Sequence, residues 1–352
     1  MTKLAAWFEE RLGLSAIAKF GAKKEVPRHK HTIWYYTGSA ILVFLMIQIV
    51  TGIMLAFYYR PTLEGANESI ARIMTELPMG WIVRSIHSWS ATFMIAILFV
   101  HLLSIALTKA YRSPREVTWM TGFLLLVVAL AFGFTGYLLP WDDLSLAATK
   151  VGTDIPRAIP VVGAWATKFL RAGDDVTGDT LTRFFILHVS VLPLAIFLLL
   201  GVHFFLIQKH GMSLPLEAET RKKRLRAIPC WPNFVFREAA VWLVLLGVLL
   251  TVAILFAPSL GPSADLMAPA PTGIKPEWYF LFLFQTLKLF PAKVWFIPGE
   301  TIAVFLIGIG ALAFFLLPLI DNRPAEKKGR MASAFVLAVI VYALAMSAWS
   351  LL

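Results

Sequence analysis

The sequence predicts an all-α membrane protein with seven transmembrane helices. Hydrophobic residues make up 59% and charged residues 15% of its 352 positions, whereas soluble domains have roughly 45–50% and 25%. The mean hydropathy of +0.74 exceeds what a soluble core could bury. Seven long apolar stretches occur, and each could cross a hydrocarbon core about 30 Å thick. These observations exclude a water-soluble enzyme.

We label the seven predicted spans A to G in chain order. Their predicted bounds are residues 34–59, 81–108, 117–139, 184–207, 239–257, 301–320 and 331–352. Two connections are long, 140–183 between C and D and 258–300 between E and F, and both are rich in Pro, Gly and aromatic residues. Loops of this length are more often functional than idle.

The segments outside the spans divide the chain into four predicted parts. Residues 1–32 form an amphipathic segment at the membrane surface. Residues 33–210 form a four-helix part, 211–237 a basic linker with the run Arg221-Lys222-Lys223-Arg224, and 238–352 a three-helix part. The apolar residues of the surface segment, set among charges, are Leu4, Trp7, Phe8, Leu12 and Ile17.

The net charge of +11 follows membrane topology and does not indicate a nucleic-acid partner. With seven spans the connections alternate between two sides, and the N-terminal side holds 21 of the 32 Lys and Arg residues against 9 of the 21 acidic residues. By the positive-inside rule this side is cytoplasmic. We therefore expect the cytoplasmic membrane of a prokaryote, with the C-terminus on the opposite, electrically positive side.

The chain has one cysteine, Cys230. A single thiol excludes a disulfide framework, a four-cysteine zinc site and a cysteine-ligated iron–sulfur cluster within this chain. Any bound metal must therefore have other ligands.

Four of the seven histidines fall inside predicted spans, where an ionisable side chain is costly. His87 and His101 have an i, i+14 spacing on span B, and His188 and His203 have an i, i+15 spacing on span D. At about 100° per residue each pair returns to nearly one helix face, roughly 21 Å apart along the axis. Because B and D run in the same direction, His87 is level with His188 and His101 with His203. For a lone intramembrane histidine, an interhelical hydrogen bond or a proton relay is the simpler explanation.

Two cross-helix pairs at opposite depths favour haem over other metal centres. Zinc would need four ligands in one place. Haem supplies four nitrogens of its own, so two axial imidazoles from facing helices complete the iron. We therefore predict two non-covalent b-type haems, with axial ligands His87 and His188 for one and His101 and His203 for the other.

Glycines on spans A and C repeat the same i, i+14 spacing. Gly52 and Gly136 are expected at the depth of the His87–His188 pair, and Gly38 and Gly122 at the depth of the other pair. A missing Cβ lets a helix backbone approach a flat macrocycle closely, although ordinary helix packing also uses glycine. Arg84 is placed to pair with a haem propionate or to anchor span B at the interface.

These residues together resemble the cytochrome b family, the quinol-oxidising membrane subunit of cytochrome bc and bf complexes. The resemblance covers nearly the whole chain and is closest to the chloroplast-type branch, in which the A–D and E–G parts are separate polypeptides and the second is called subunit IV. Here the two parts are joined. The matching motifs are Trp81-Ile82-Val83-Arg84-Ser85-Ile86-His87, Gly136-Tyr137-Leu138-Leu139-Pro140-Trp141 and Pro276-Glu277-Trp278-Tyr279.

The resemblance implies a subunit of a quinol:cytochrome c oxidoreductase that works by a Q cycle and contributes to a proton gradient. A lipid quinol would bind at the positive side, with Glu277 as proton carrier. One electron would pass to a Rieske iron–sulfur protein, and the other through both haems to an inner quinone. A c-type cytochrome subunit and a second copy of the complex are further implied partners. The residues implied at the quinol pocket are Tyr137, Pro276, Glu277, Trp278 and Tyr279.

Two positions depart from the chloroplast-type pattern. Tyr36 stands where that branch commonly has the cysteine that tethers an extra haem, so a covalently attached third haem is not implied. Gln208 stands five residues after His203, where family members often have His or Arg near the inner quinone.

Several alternatives stay open from the residues alone. Glu277 could form a structural hydrogen bond or charge pair, and Trp278 and Tyr279 could be membrane-interface anchors. Asp142 and Asp143 are expected to cap the loop helix that follows span C. At the level of the whole protein, a haem-b anchor of another oxidoreductase would share the histidine pairs, and a secondary transporter with a histidine proton relay would fit the hydropathy.

Overall fold

The computed structural model describes residues 2–13, 15–16, 24–216, 218, 225–269, 271–321 and 329–352, and this part of the chain is mainly helical. Six of its helices are long and apolar enough to cross a membrane, and they coincide with predicted spans A to E and G. Their bounds are Thr32–Ala56, Gly80–Leu107, Glu116–Leu138, Gly178–His210, Cys230–Leu255 and Met331–Leu351. The all-α membrane fold class is thereby confirmed.

Span F is shorter and broken, which the sequence analysis did not predict. An apolar helix runs over Gly299–Phe315 and a single further turn over Leu317–Ile320, with a non-helical residue, Leu316, between them. Pro318 lies at the start of the second piece. Because proline has no amide hydrogen and its ring crowds the preceding turn, it explains the break.

Span D begins earlier than predicted and contains one widened turn. Its first helix is Gly178–Ile186, its last is Leu192–His210, and a π-helical turn, Leu187–Val191, joins them. In that turn the amide of Leu192 donates to the carbonyl of Leu187, five residues back. Pro193, directly after the turn, has no amide hydrogen to donate, which favours such a rearrangement.

The four-helix part and the three-helix part pack directly against each other. Ser85 Oγ donates to the Ala253 carbonyl at 2.6 Å, joining B to E, and Trp119 Nε1 donates to the Phe314 carbonyl at 3.1 Å, joining C to F. At mid-depth a group of buried residues fills the space between spans A to E. It comprises Phe44, Leu45, Met94, Leu125, Ala129, Ile196 and Leu249.

The N-terminal segment is helical only over Lys3–Leu12, where Thr2 accepts the amide hydrogen of Ala5 as N-cap. Leu4, Trp7, Phe8 and Leu12 are exposed on it, as an amphipathic surface helix requires. Ile17 lies outside the described residues.

The predicted linker is tied to the N-terminal segment. A strand at Ala227–Pro229 pairs antiparallel with a strand at Glu25–Pro27. The basic run at residues 221–224 lies outside the described residues. The pairing is a long-range contact that hydropathy does not reveal.

The C–D and E–F connections lie at one end of the bundle, which we call the loop face; the other end, with Tyr35 and His210, is the N-terminal face. After span C come helices Asp143–Asp154 and Gly163–Arg171. As predicted, Asp142 caps the first of them, because its Oδ1 accepts the Ser145 amide at 2.9 Å. Its Oδ2 accepts the Gly261 amide at 3.2 Å. Asp142 therefore also fixes the E–F connection against the C–D connection.

Candidate functional site

The four intramembrane histidines lie at two depths between spans B and D. Nearer the loop face, the rings of His87 and His188 have centroids 6.4 Å apart and planes inclined by 71°. Nearer the N-terminal face, His101 and His203 are close enough to interact electrostatically. The pairing by depth agrees with the prediction from the i, i+14 and i, i+15 spacings.

The π-helical turn of span D explains how unequal spacings give matched pairs. His188 lies within that turn, and a π-helical turn contains one more residue than an α-helical turn. The i, i+15 spacing on span D therefore covers about the same rotation and rise as the i, i+14 spacing on span B. Since this turn is not visible in the sequence, the spacings alone predict only approximate alignment of the histidines.

The spacing of the first pair fits two axial ligands of one iron atom. Imidazole nitrogens bind metals at about 2.0–2.1 Å and lie roughly 1.1 Å from the ring centre, so two imidazoles on opposite sides of one metal have centroids about 6.3 Å apart. The observed separation is 6.4 Å. Among the described residues, no group of three or more His, Cys, Asp or Glu could hold a metal ion unaided. The two histidines alone could hold a metal only if a cofactor such as haem supplied its remaining ligands.

The four predicted glycines lie at the predicted depths, directly against the imidazole rings. A Cβ atom placed on Gly136 would lie 2.8 Å from Cε1 of His188, and one on Gly52 would lie 3.2 Å from Cε1 of His87. At the other depth, Gly122 would meet His203 at 3.2 Å and Gly38 would meet His101 at 3.6 Å. The glycines therefore make room for the histidine rings. Close approach of their backbone to a haem macrocycle stays a prediction.

Each of these glycines is preceded by a threonine, which the sequence analysis missed. The dipeptide Thr-Gly occurs twice on span A and twice on span C, with the same i, i+14 spacing. In every case the threonine Oγ1 lies within hydrogen-bond distance of Nδ1 of one histidine. The distances are 2.7 Å for Thr37 and His101, 2.8 Å for Thr51 and His87, 2.9 Å for Thr121 and His203, and 2.9 Å for Thr135 and His188.

Arg84 lies one helical turn before His87, as predicted, and its guanidinium is turned to the E–F connection. Nη1 donates to the Pro258 carbonyl at 2.6 Å and Nη2 to the Ser259 carbonyl at 3.2 Å. These two hydrogen bonds hold the start of the E–F connection against span B, which is a structural role for Arg84. Pairing with a haem propionate stays a prediction.

At the loop face the structure brings Glu277, Tyr137 and Tyr279 close together. Tyr279 is only 6% exposed. Burial raises the pKa of its phenol, and the nearby Glu277 and Tyr137 raise it further. Burial likewise raises the pKa of the Glu277 carboxyl, since a half-buried carboxylate loses part of its hydration. A carboxyl with a raised pKa accepts a proton more readily than an exposed one.

The two other residues of the tetrapeptide have different surroundings. Pro276 is half-buried next to Glu277, while Trp278 is 40% exposed and contacts Phe99 of span B edge to face, with ring centroids 6.2 Å apart. Trp278 thus lies on the outer surface of the bundle.

A glycine that was not predicted also belongs to the loop-face site. A Cβ atom on Gly133 of span C would lie 3.0 Å from Cζ of Tyr279 and 3.1 Å from Cδ1 of Ile95. The absence of a side chain at residue 133 therefore lets the Tyr279 ring enter between spans B and C. Nothing in the hydropathy of span C distinguishes this glycine from one that serves helix packing.

At the N-terminal face Tyr36 stacks on Phe234 of the segment before span E, with ring centroids 4.9 Å apart and planes inclined by 16°. Gln208 accepts a hydrogen bond from Lys24. Ser39 accepts the Trp242 indole hydrogen at 3.3 Å, and Glu238, at the start of span E, lies near Ser39. Cys230 has a free thiol.

Comparison with known proteins places this geometry in one family. Residues 22–211 match the family described as Cytochrome b/b6/petB, and residues 263–351 match Cytochrome b(C-terminal)/b6/petD. The cytochrome bc complex cytochrome b subunit of Chlorobaculum thiosulfatiphilum is 42% identical over 97% of this chain and 79% of its own length. Cytochrome b6 of Acaryochloris marina is 47% identical over 61% of this chain and its own full length. A chain of a solved structure, the hyperthermophilic respiratory Complex III, superposes with a TM-score of 0.87 at 29% identity, covering 99% of this chain and 91% of that one.

Proposed function

Since this chain belongs to the cytochrome b family, with the b6 part and the subunit IV part in one polypeptide, we propose that its two histidine pairs each hold one b-type haem. The chain is a multi-pass membrane protein, the cytochrome b subunit of a bc-type quinol:cytochrome c oxidoreductase, and the family carries b-type haems. The observation that carries the proposal is the His87–His188 separation of 6.4 Å, matched by a second pair at the other depth.

When bound, the two haems supply one-electron transfer between the two depths of the membrane interior. The chain's own part would be to supply two imidazoles to each haem, from His87 and His188 nearer the loop face and from His101 and His203 nearer the N-terminal face. Gly52, Gly136, Gly38 and Gly122 keep backbone close to these rings. Arg84 is proposed to form an ion pair with a haem propionate, in addition to its hydrogen bonds with the Pro258 and Ser259 carbonyls.

Quinol oxidation is proposed at the loop face, in the space bordered by Tyr137 and the Pro276-Glu277-Trp278-Tyr279 segment. Glu277 is the proposed proton acceptor, because its carboxyl has a raised pKa and lies beside the two tyrosines. Tyr279, held against Gly133, and Tyr137 shape the pocket and limit water. Asp142 and Asn67 hold the C–D and E–F connections together around it, since Asn67 donates to both the Pro140 and Gly261 carbonyls.

An inner quinone is proposed at the N-terminal face, beside the stacked rings of Tyr36 and Phe234. Glu238 and Gln208 offer polar groups at this end of the bundle. A covalently attached third haem is not proposed, because Tyr36 presents a ring where a thiol would be required and its ring is stacked on Phe234.

A Rieske protein and a cytochrome c subunit are the partners that membership of a bc complex implies. We further propose that the complex is a homodimer in the cytoplasmic membrane of a prokaryote, with the N-terminal face cytoplasmic and the loop face on the positive side. The distribution of Lys and Arg supports this orientation. The proposed division of the chain is the surface segment 1–32, the haem part 33–210, the linker 211–237 and the subunit IV-like part 238–352.

Quinol-dependent reduction of the b haems in the purified complex tests this function. We expect added quinol to reduce them and an inhibitor of the outer quinol site to block acceptor-linked turnover. A haem-b anchor of another oxidoreductase would carry the same haems without needing the tetrapeptide. Turnover that is unaffected both by such an inhibitor and by substitution of Glu277 would favour that alternative.

A further inference from the structure

Each threonine beside a histidine also makes a second contact, with a backbone carbonyl of its own helix. The Oγ1 atoms of Thr37 and Thr121 lie 2.6 and 2.9 Å from the carbonyl oxygens of Trp34 and Thr118. Those of Thr51 and Thr135 lie 2.6 and 2.8 Å from the carbonyl oxygens of Ile47 and Ala131. Every one of the four hydroxyls is therefore placed between a carbonyl oxygen and a histidine Nδ1.

The single hydroxyl proton settles the direction of both contacts. A carbonyl oxygen only accepts, so two oxygens at 2.6 to 2.9 Å require the threonine proton between them. The hydroxyl then has only lone pairs to offer the ring, and Nδ1 must carry a proton to form its bond. A neutral imidazole protonated at Nδ1 has its free lone pair on Nε2, the atom that a metal in the space between the paired rings would need.

We propose that Thr37, Thr51, Thr121 and Thr135 are positioning residues that hold each haem-ligand imidazole in the Nδ1–H tautomer and fix the orientation of its ring. This inference rests on the proposed haem function. A hydrogen bond donated from the far ring nitrogen increases the basicity of the ligating nitrogen. A more basic ligand stabilises oxidised iron more than reduced iron. Each hydroxyl therefore lowers the midpoint potential of the haem at its own depth.

Span C offers a matched set of variants in the full complex. Thr121→Val and Thr135→Val remove the hydroxyl while keeping the branched shape, and Thr121→Ser and Thr135→Ser keep the hydroxyl. Thr251→Val on span E is the control, because the Thr251 hydroxyl also donates to a carbonyl of its own helix, that of Gly247 at 2.8 Å, and Thr251 is exposed. Redox titration of both haems and the low-spin ferric electron paramagnetic resonance signal are measured for each variant.

We expect Thr121→Val to raise the potential of the His101–His203 haem only, and Thr135→Val that of the His87–His188 haem only. The expected change is on the order of tenfold in the reduction equilibrium constant, about 59 mV for a one-electron couple. The resonance of the affected haem shifts as its imidazole loses the threonine contact. Both serine variants and Thr251→Val keep the wild-type values. If a valine variant fails to load haem, retention of the haem in the matching serine variant supports the same role.

The inference is overturned if the valine variants keep wild-type potentials and resonances, or if serine variants change as much as valine variants, since methyl packing would then explain the effect. Loss of haem from both the serine and the valine variants would also overturn it. Failure of the haem proposal is separate and visible in the parent complex, which would then lack two b-type haems before any threonine is changed.

Discussion

Tyr279 lies against Gly133, so that a Cβ atom at residue 133 would be 3.0 Å from Cζ of the phenol ring. This contact joins the E–F connection to span C at the proposed quinol pocket. A rigid ring in that position can give way only by moving as a whole, which changes the shape of the space that it borders with Glu277 and Tyr137.

Gly133→Ala is therefore expected to impair quinol oxidation and leave both haems in place. Displacement of a pocket residue by a fraction of an ångström to about 1 Å costs roughly 10- to 100-fold in kcat/KM. Steady-state quinol oxidation and haem spectra measure the two effects. Gly201→Ala is the matched control on span D, because a Cβ there meets no atom within 4 Å. Equal activity of the two variants would refute the pocket role of Tyr279.

The glycines beside the histidines predict a graded series. Alanine at residue 136 would crowd His188 at 2.8 Å, whereas alanine at residue 38 would make an ordinary 3.6 Å contact with His101. We expect Gly136→Ala to lose most of the haem at the His87–His188 depth and Gly38→Ala to keep nearly all of its haem. Pyridine haemochrome assays with potentiometric resolution of the two haems provide the measurement. Greater loss in Gly38→Ala than in Gly136→Ala would contradict the arrangement.

Glu277→Gln should remove the acidic limb of the pH profile of quinol oxidation. Because burial raises the pKa of this carboxyl, the wild-type rate falls as pH drops through that raised value and the carboxylate becomes protonated. Glutamine accepts no proton at any pH, so the variant is slower by about 100-fold and shows no such limb. Glu300→Gln, at an exposed residue of the same face, serves as control. A Glu277→Gln variant that keeps the wild-type profile would make Glu277 a structural residue.

The ion pair of Lys109 and Asp321 is expected to stabilise the junction of spans B and F. Nζ lies 2.9 Å from Oδ2, and the two side chains are 14% and 6% exposed. Lys109→Met leaves the carboxylate with Tyr111 as a remaining donor, so a loss of about 3 kcal/mol is expected in the free energy of unfolding. Thermal unfolding of the purified complex measures it. Arg72→Ala, which breaks an exposed pair with Glu76, should cost less than about 1 kcal/mol.

The positions of most membrane spans could be predicted from the sequence because hydropathy is a local property. The bounds of spans A, B, C and G were predicted within three residues, whereas D and E begin six and nine residues earlier than predicted. The pairing of His87 with His188 followed from helical periodicity alone. The break at Leu316 was missed although Pro318 signals it, because proline is tolerated in membrane helices and hydropathy does not register it.

The parts of the site that were missed depend on contacts between distant residues. The π-helical turn at His188 and the entry of Tyr279 beside Gly133 arise from packing between helices, which no single segment encodes. The threonines carried a visible signal, the Thr-Gly dipeptide repeated at an i, i+14 spacing on two spans. Threonine in a membrane helix commonly bonds its own backbone, so the repeat gains meaning only once the histidines are seen beside it.

Haem stoichiometry in single-histidine variants tests the central claim most directly. The purified complex should contain two b-type haems per chain. His203→Leu should retain only the haem held by His87 and His188, and His188→Leu only the one held by His101 and His203, as judged by haem quantitation with reduced-minus-oxidised spectra. A colourless parent protein, or a variant of either kind that keeps both haems, would contradict the account.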